Sequence, residues 1–322
     1  MRVLIIGGGG MIGRKLARAL AARGALRGEP VSRLILADVT EPAPVEAPFP
    51  VTSRRLDITD RAAVEAALAE ARPDVIYHLA AVVSGQAEAE FDLGMAVNLD
   101  GSRHVLEAAR GLGTRPVLVF TSSVAVFGGD VPGPIDDWTA TNPQTSYGAQ
   151  KAAVELLVTD YSRRGFIDGR APRLPTITIR PGRPNRAASS FMSSIFREPL
   201  RGEEAVCPVG PDYALWALSP RRCVANLIHA AEIAGEALGP NRAFNMPGRR
   251  YTIGEMVEAM RRVAGEAPVG LIRWEADETI RRIVEGWRAD LDASRAEALG
   301  FEADAGFEEN LRFFLEEDLR AG

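Results

Sequence analysis

Cysteine and histidine are scarce, with two of the first and three of the second in 322 residues. Cys207 and Cys223 show no metal-ligand spacing, which excludes a zinc site or disulfide framework and fits a reducing compartment. No basic block occurs and the net charge is −5, so the chain lacks the electrostatic footprint of a nucleic-acid partner. No apolar run approaches the ~20 residues needed to cross a bilayer. The start, Met1 to Ile6, runs straight into glycines and is too short for a signal-peptide core. Repeats and low-complexity tails are also missing. These absences leave a cytoplasmic protein acting on a small molecule, without metal. Hydrophobic content of 46% and charged content of 25% suit a globular enzyme of one large or two modest domains.

Val3 to Ile6 is an apolar β-branched run expected of a strand buried on both faces. Gly7, Gly10 and Gly13 follow at the spacing G-x-x-G-x-x-G, with Met11 and Ile12 opening a helix between them. The first glycine allows the strand-to-helix turn, the second lets backbone approach a pyrophosphate, and the third lets helix pack on sheet. A second strand, Leu34 to Ala37, ends at Asp38, placed to accept from ribose hydroxyls and to repel a 2′-phosphate. NAD is therefore favoured over NADP. Asp57 and Ile58 end a third strand beside the expected adenine, with Thr59 or Asp60 capping the next helix. A fourth strand from Asp74 ends in Leu79, Ala80 and Ala81, small enough for a cofactor to lie against backbone. His78, inside that strand, reads as a core residue.

Asn98 lies among apolar neighbours on a helix spanning Asp92 to Gly111, and a buried amide needs a partner: a water, a lysine or structural backbone. The fifth strand, Val117 to Phe120, runs into Thr121, Ser122 and Ser123, at the carboxyl edge where parallel sheets bind ligands. Tyr147 and Lys151 open the next helix four residues apart and so share one face. A fixed ammonium favours the phenolate of a tyrosine whose ordinary pKa is about 10. Ser123 is placed to donate to the substrate oxygen that Tyr147 deprotonates.

Assembled in this order, the motifs resemble the extended short-chain dehydrogenase/reductase family, which includes the sugar-nucleotide epimerases and dehydratases. The resemblance covers about the first 185 residues and implies a doubly wound, parallel Rossmann-type α/β fold. It implies an NAD-binding domain over 1–185, with later segments returning to it, and a mainly substrate-binding cap over 186–322. It also implies that Ser123 polarises, Tyr147 transfers the proton, and Lys151 lowers the phenol pKa while binding the nicotinamide ribose. Arg180, Pro181 and Gly182 would lie beside the nicotinamide. A homodimer through the helices Asp92–Gly111 and Gln144–Arg164 fits the family.

The family's Asn-x-Tyr-Gly-Pro continuation is replaced by Arg183-Pro184-Asn185-Arg186, and its His-Val-x-Asp segment by Leu218-Ser219-Pro220-Arg221. These departures point away from a nucleotide sugar. With Ser84 to Glu88, Phe91 to Gly94 and Ile283 to Trp287, they are similar to a branch that oxidises the C2 hydroxyl of the four-carbon acid D-erythronate. Arginine suits bidentate carboxylate binding, so Arg221 is the first choice for the acid group, with Arg183, Arg197 and Arg222 behind it. Ser84, Asn185 and Ser189 would address hydroxyls. An epimerase or dehydratase with tightly held NAD is the alternative, and a non-catalytic NAD-sensing protein is a third reading that the Tyr147–Lys151 pair disfavours.

Overall fold

A computed structural model describes residues 1–182 and 190–319 of the chain. The strands β1 (Arg2–Ile6), β2 (Arg33–Asp38), β3 (Val51–Arg55), β4 (Val75–His78) and β5 (Val117–Phe120) lie in the order β3-β2-β1-β4-β5, all parallel. The short β6 (Ser122–Ser123) and the longer β7 (Asp168–Leu174) continue the sheet beyond β5. Val3, Leu4, Ile5 and Ile6 are all at most 1% exposed, because β1 is covered on both faces. Burying each such side chain contributes about 1.5–3 kcal/mol. Strand order reverses between β1 and β4, which opens a crevice at the carboxyl ends of these two strands.

Two helical layers cover the sheet. On one face stands α1 (Met11–Arg23); on the other stand α2 (Arg61–Ala71), α3 (Ser102–Gly111) and α4 (Ser146–Arg163). Asp60 caps α2 by accepting from the Ala63 amide at 3.0 Å, and Thr145 caps α4 by accepting from the Gly148 amide at 3.1 Å. The single helix expected over Asp92 to Gly111 is three pieces: a turn at Phe91–Gly94, a wide π-helical stretch at Met95–Gly101, and α3. The widened stretch holds Asn98, and such bulges recur at functional sites.

The remainder divides differently from a simple cap. Helix α5 (Phe191–Arg197) and the strand β9 (Ala214–Leu218), through Leu215 and Ala217, belong to a separate apolar cluster, while β8 (Thr176–Ile177) pairs with β9 and turns Ile177 to the main core. Helix α6 (Pro220–Glu232) instead packs on α1 through Val224, Leu227 and Ile228, in the main core. Strand β10 (Ala243–Asn245) pairs in parallel with β7 and extends the sheet. Both are later segments, within 186–322, that return to the sheet. The apolar stripe on α6 and the Ala-Phe-Asn run supply surfaces that complete the large sheet. The cluster under the cap is closed by α7 (Ile253–Ala264) and α8 (Phe307–Phe314). Among the described residues no helix is long and apolar enough to cross a membrane, and no group of side chains could hold a metal ion.

Candidate active site

The glycine turn stands where β1 meets α1. Gly7 has φ +92°, and a side chain there would lie 2.6 Å from the Ala80 amide nitrogen. A side chain at Gly13 would collide with the Gly7 carbonyl oxygen, so the helix needs glycine to approach. Gly10 caps α1 without any side-chain hydrogen bond, leaving the amides of Met11, Ile12 and their neighbours as first-turn donors for an anion. Asp38 accepts from the Gly9 amide at 2.9 Å, which holds its carboxylate against the turn. Leu79 and Ala80 both donate to the Ile6 carbonyl, bringing the end of β4 beside Gly7. Small residues, an uncapped helix start and a carboxylate at the second strand together fit a dinucleotide with free ribose hydroxyls.

Asp57 is exposed and accepts from the Thr59 amide and hydroxyl at 2.9 and 2.7 Å, and these bonds hold its carboxyl below the usual carboxylate range. Ile58 is buried against Gly101, where an added side chain would sit 2.7 Å from it. This pair therefore braces the loop beside the π-helical stretch.

On α4, Tyr147 is half-buried, with the Ser123 side chain near enough to its phenol to lower the phenol's pKa. Burial outweighs this and pushes the phenol up to about 12. Lys151 is 2% exposed, donates to the Thr121 carbonyl at 2.8 Å, and lies 5.6 Å from the Tyr147 ring centre and 4.5 Å from that of Phe120. Burial pushes the ammonium down to about 7, with Glu155 opposing the shift. The structure thus brings Ser123, Tyr147 and Lys151 together. It differs from the expected pKa logic, because dehydration is the largest cause at both groups and disfavours the charged form of each.

Asn98, read as a cofactor-side or structural amide, has its carboxamide bonded within the fold: the oxygen accepts from the Val82 amide at 2.8 Å, and the nitrogen donates to the Val82 carbonyl and to Gln150 at 3.1 and 2.7 Å. Both N–H donors are used, so Asn98 fixes the chain leaving β4 and ties it to α4. Ser84 opens the short helix Ser84–Ala89, which packs on α4 and whose Glu88 accepts from the Ser146 amide. His78 is buried and bonds to Ser102 at 2.9 Å, and burial holds it neutral near 3. It is a core residue, as its strand context implies.

The arginines redistribute most. Arg221 stands at the start of α6, in the layer opposite α4, with its guanidinium bonded to Glu316 and Glu317 and lying 3.9 Å over the Phe313 ring. In this arrangement its guanidinium is paired with the acidic C-terminal turn. Arg222 pairs with Glu302. Arg197 is buried at 2% exposure and donates to the Arg180 carbonyl at 2.8 Å, and the Ser193 hydroxyl accepts from the Arg180 amide at 3.1 Å. These bonds clamp the backbone just before Pro181. Burial, reinforced by Arg197, holds the Arg180 guanidinium down at about 10. Arg183, Asn185 and Ser189 lie outside the described residues.

Sequence reasoning passed over Glu155 and Arg173. Glu155 follows Tyr147 and Lys151 at the same four-residue interval, and that spacing was the signal that could have found it. Arg173 on β7 meets it in a buried ion pair at 2.9 Å.

The family model described as the NAD dependent epimerase/dehydratase family matches residues 3–231. The chain belongs to this family. It is 52% identical over 322 residues to the D-erythronate dehydrogenase of Cupriavidus necator, covering 98% of each chain. It is 43% identical over 320 residues to the D-erythronate dehydrogenase of Haemophilus influenzae, covering 99% of this chain and 100% of that one. A solved structure described as a nucleoside-diphosphate-sugar epimerase from Agrobacterium tumefaciens superposes with a TM-score of 0.95 at 51% identity, covering 100% of this chain and 95% of that one. An L-threonine 3-dehydrogenase structure from Trypanosoma brucei superposes at 0.85 with 28% identity, covering 98% of this chain and 96% of that one. The chain is an NAD-dependent dehydrogenase of a Rossmann-type family, and its glycine turn, Asp38 and the end of β4 are the residues that could hold such a cofactor.

Proposed function

We propose that this chain is an NAD-dependent dehydrogenase that oxidises the C2 hydroxyl of D-erythronate to 2-dehydro-D-erythronate. The observation that carries the reading is full-length identity of 52% and 43% to two D-erythronate dehydrogenases, with Ser123, Tyr147 and Lys151 gathered at the mouth of the crevice. Bound NAD supplies a hydride acceptor carrying one positive charge. Ser123 holds the substrate oxygen and the phenol in one hydrogen-bonded line. Tyr147 takes the hydroxyl proton as the C2–H bond breaks, a general-base role worth roughly 10²–10⁴ in rate. Lys151, fixed under the ring by the Thr121 carbonyl, stabilises the phenolate that precedes transfer and offers its remaining N–H donors to the ribose. Ser84, Asn185 and Ser189 are proposed to receive the acid's hydroxyls. Arg180 and Arg183, around Pro181, take the place of Arg221 as candidates for the carboxylate.

The likeness to a structure described as a sugar-nucleotide epimerase favours a second reading, in which NAD is regenerated every cycle. Absorbance of NADH separates the two. Purified protein with NAD and a panel of four- to six-carbon sugar acids should form NADH with D-erythronate above all others. No net NADH with any acid, and a retained nucleotide that turns over a nucleotide sugar, would reverse the assignment. A homodimer accompanies this reading, supported by Phe91 and Leu156, which are 56% and 72% exposed on neighbouring helical segments. Light scattering at twice the monomer mass is its check.

A further inference from the structure

Glu155 sits at the third position of the Tyr147–Lys151–Glu155 stripe, two helical turns below the phenol, and is 3% exposed. Its carboxylate accepts from the Ser122 hydroxyl at 2.5 Å and from Arg173 Nε and a terminal nitrogen at 3.0 and 2.9 Å. Ser122 and Arg173 are themselves direct neighbours across the β6–β7 ladder, so one carboxylate joins helix α4 to two adjacent strands. Arg173 is 4% exposed, lies 4.8 Å over the Phe127 ring, and reaches the Asp137 carbonyl. Ser123, the next residue after Ser122, accepts from the Ala125 amide at 3.1 Å, and its side chain is near enough to the Tyr147 phenol to lower the phenol's pKa. A buried ion pair is a poor way to gain stability, since dehydrating two charges offsets most of their attraction. This one spans the two elements whose spacing sets the serine-to-tyrosine distance.

We propose that the Glu155–Arg173 pair is the positioning element of the active site, holding the Ser122–Ser123 strand at a fixed distance from Tyr147 on α4. The inference rests on the proton-transfer reading of Ser123 and Tyr147. Neither Glu155 nor Arg173 touches the reacting atoms; they act through Ser122 and through the seat of α4 on β6 and β7, and Glu155 also through its field on Lys151.

The test replaces both partners at once. Glu155→Leu/Arg173→Met keeps side-chain volume and leaves no orphaned charge, so the fold survives where a single replacement would strand an ion. The expected result is a kcat lowered about 10- to 100-fold, as a small misplacement of a catalytic group produces. KM for the sugar acid and Kd for NAD should stay within about threefold of the parent, because the cofactor cradle lies on β1, α1 and β4. A folded double variant with the parent's kcat overturns the inference. Should that variant fail to fold, Ser122→Ala decides instead, by removing only the hydroxyl that links the pair to the serine strand: a kcat lowered several-fold supports the inference and an unchanged kcat overturns it. Tyr147→Phe measured alongside separates the two levels. An active Tyr147→Phe sinks the proton-transfer reading itself; an inactive one beside a fully active double variant sinks the positioning role alone.

Discussion

Helices α4 and α6 lie on opposite faces of one sheet, yet they bury different chemistry. Against the sheet α6 sets Cys223, Val224, Leu227, Ile228, Ala230 and Ala231, an apolar stripe of the kind that holds most globular proteins together. Helix α4 buries Val154 and Val158 too, but beside them it buries Gln150, Lys151, Glu155 and Ser162. Each of these four has a waiting partner on the neighbouring elements: Asn98 for Gln150, the Thr121 carbonyl for Lys151, Ser122 and Arg173 for Glu155, and the Gly169 amide for Ser162. At the start of α6 the charges behave otherwise. Arg221 and Arg222 reach sideways to Glu316, Glu317 and Glu302 near solvent. A charged residue thus acquires a role from the groups it faces, and the carboxyl edge of a parallel sheet is where polar groups face one another.

The contrast can be broken or sharpened by four substitutions. Tyr147→Phe removes the proposed proton acceptor and should lower turnover by about 10³-fold while leaving the Kd for NAD within threefold, read by NADH formation and nucleotide titration. Gly148→Ala comes next. A methyl at that position meets the Ala125 carbonyl oxygen and Pro143, so α4 must retreat from the serine turn. Stability should fall by about 1–3 kcal/mol in thermal unfolding, with kcat reduced further than stability requires.

Lys151→Met tests the electrostatics of the buried ammonium. Its folded pKa is lowered from 10.5 to about 7, so between those values the unfolded chain binds more protons than the folded one. Stability should therefore carry the full burial cost below about pH 7 and recover as pH rises toward 10. In the methionine variant that rise between pH 7 and 9.5 should disappear from denaturant unfolding curves, and turnover should be lost. An unchanged slope would mean that Lys151 is better solvated than its contacts imply. The smallest effect belongs to Arg221→Ala: half-exposed ion pairs contribute about 0–1 kcal/mol, and KM for the acid should stay within about twofold. A large rise in KM would return Arg221 to the substrate site.

Most of the nucleotide half was legible because its signals are local. A strand that runs into G-x-x-G-x-x-G has one geometry available, and Asp38 and Ala80 follow from where parallel strands end. Tyr147 and Lys151 were legible as a spacing on one helix. The partners of Asn98 and Arg221 were not, since they depend on what long-range packing delivers to each. The π-helical widening that turns Asn98 toward Val82 has no spacing signature, and the acidic turn of Glu316 and Glu317 lies almost a hundred residues from Arg221. Which later segments return to the sheet was hidden for the same reason: the apolar patterns of helix α6 and strand β10 specify burial without specifying which core receives them. Glu155 was within reach, and only its repetition of the four-residue interval gave it away.

The account stands most directly on where the hydride comes from. D-Erythronate carrying deuterium at C2 alone should turn over more slowly than the unlabelled acid, and the label should be recovered in the reduced cofactor with none left in the product. Deuterium retained in the product acid, with turnover unslowed, would contradict oxidation at C2.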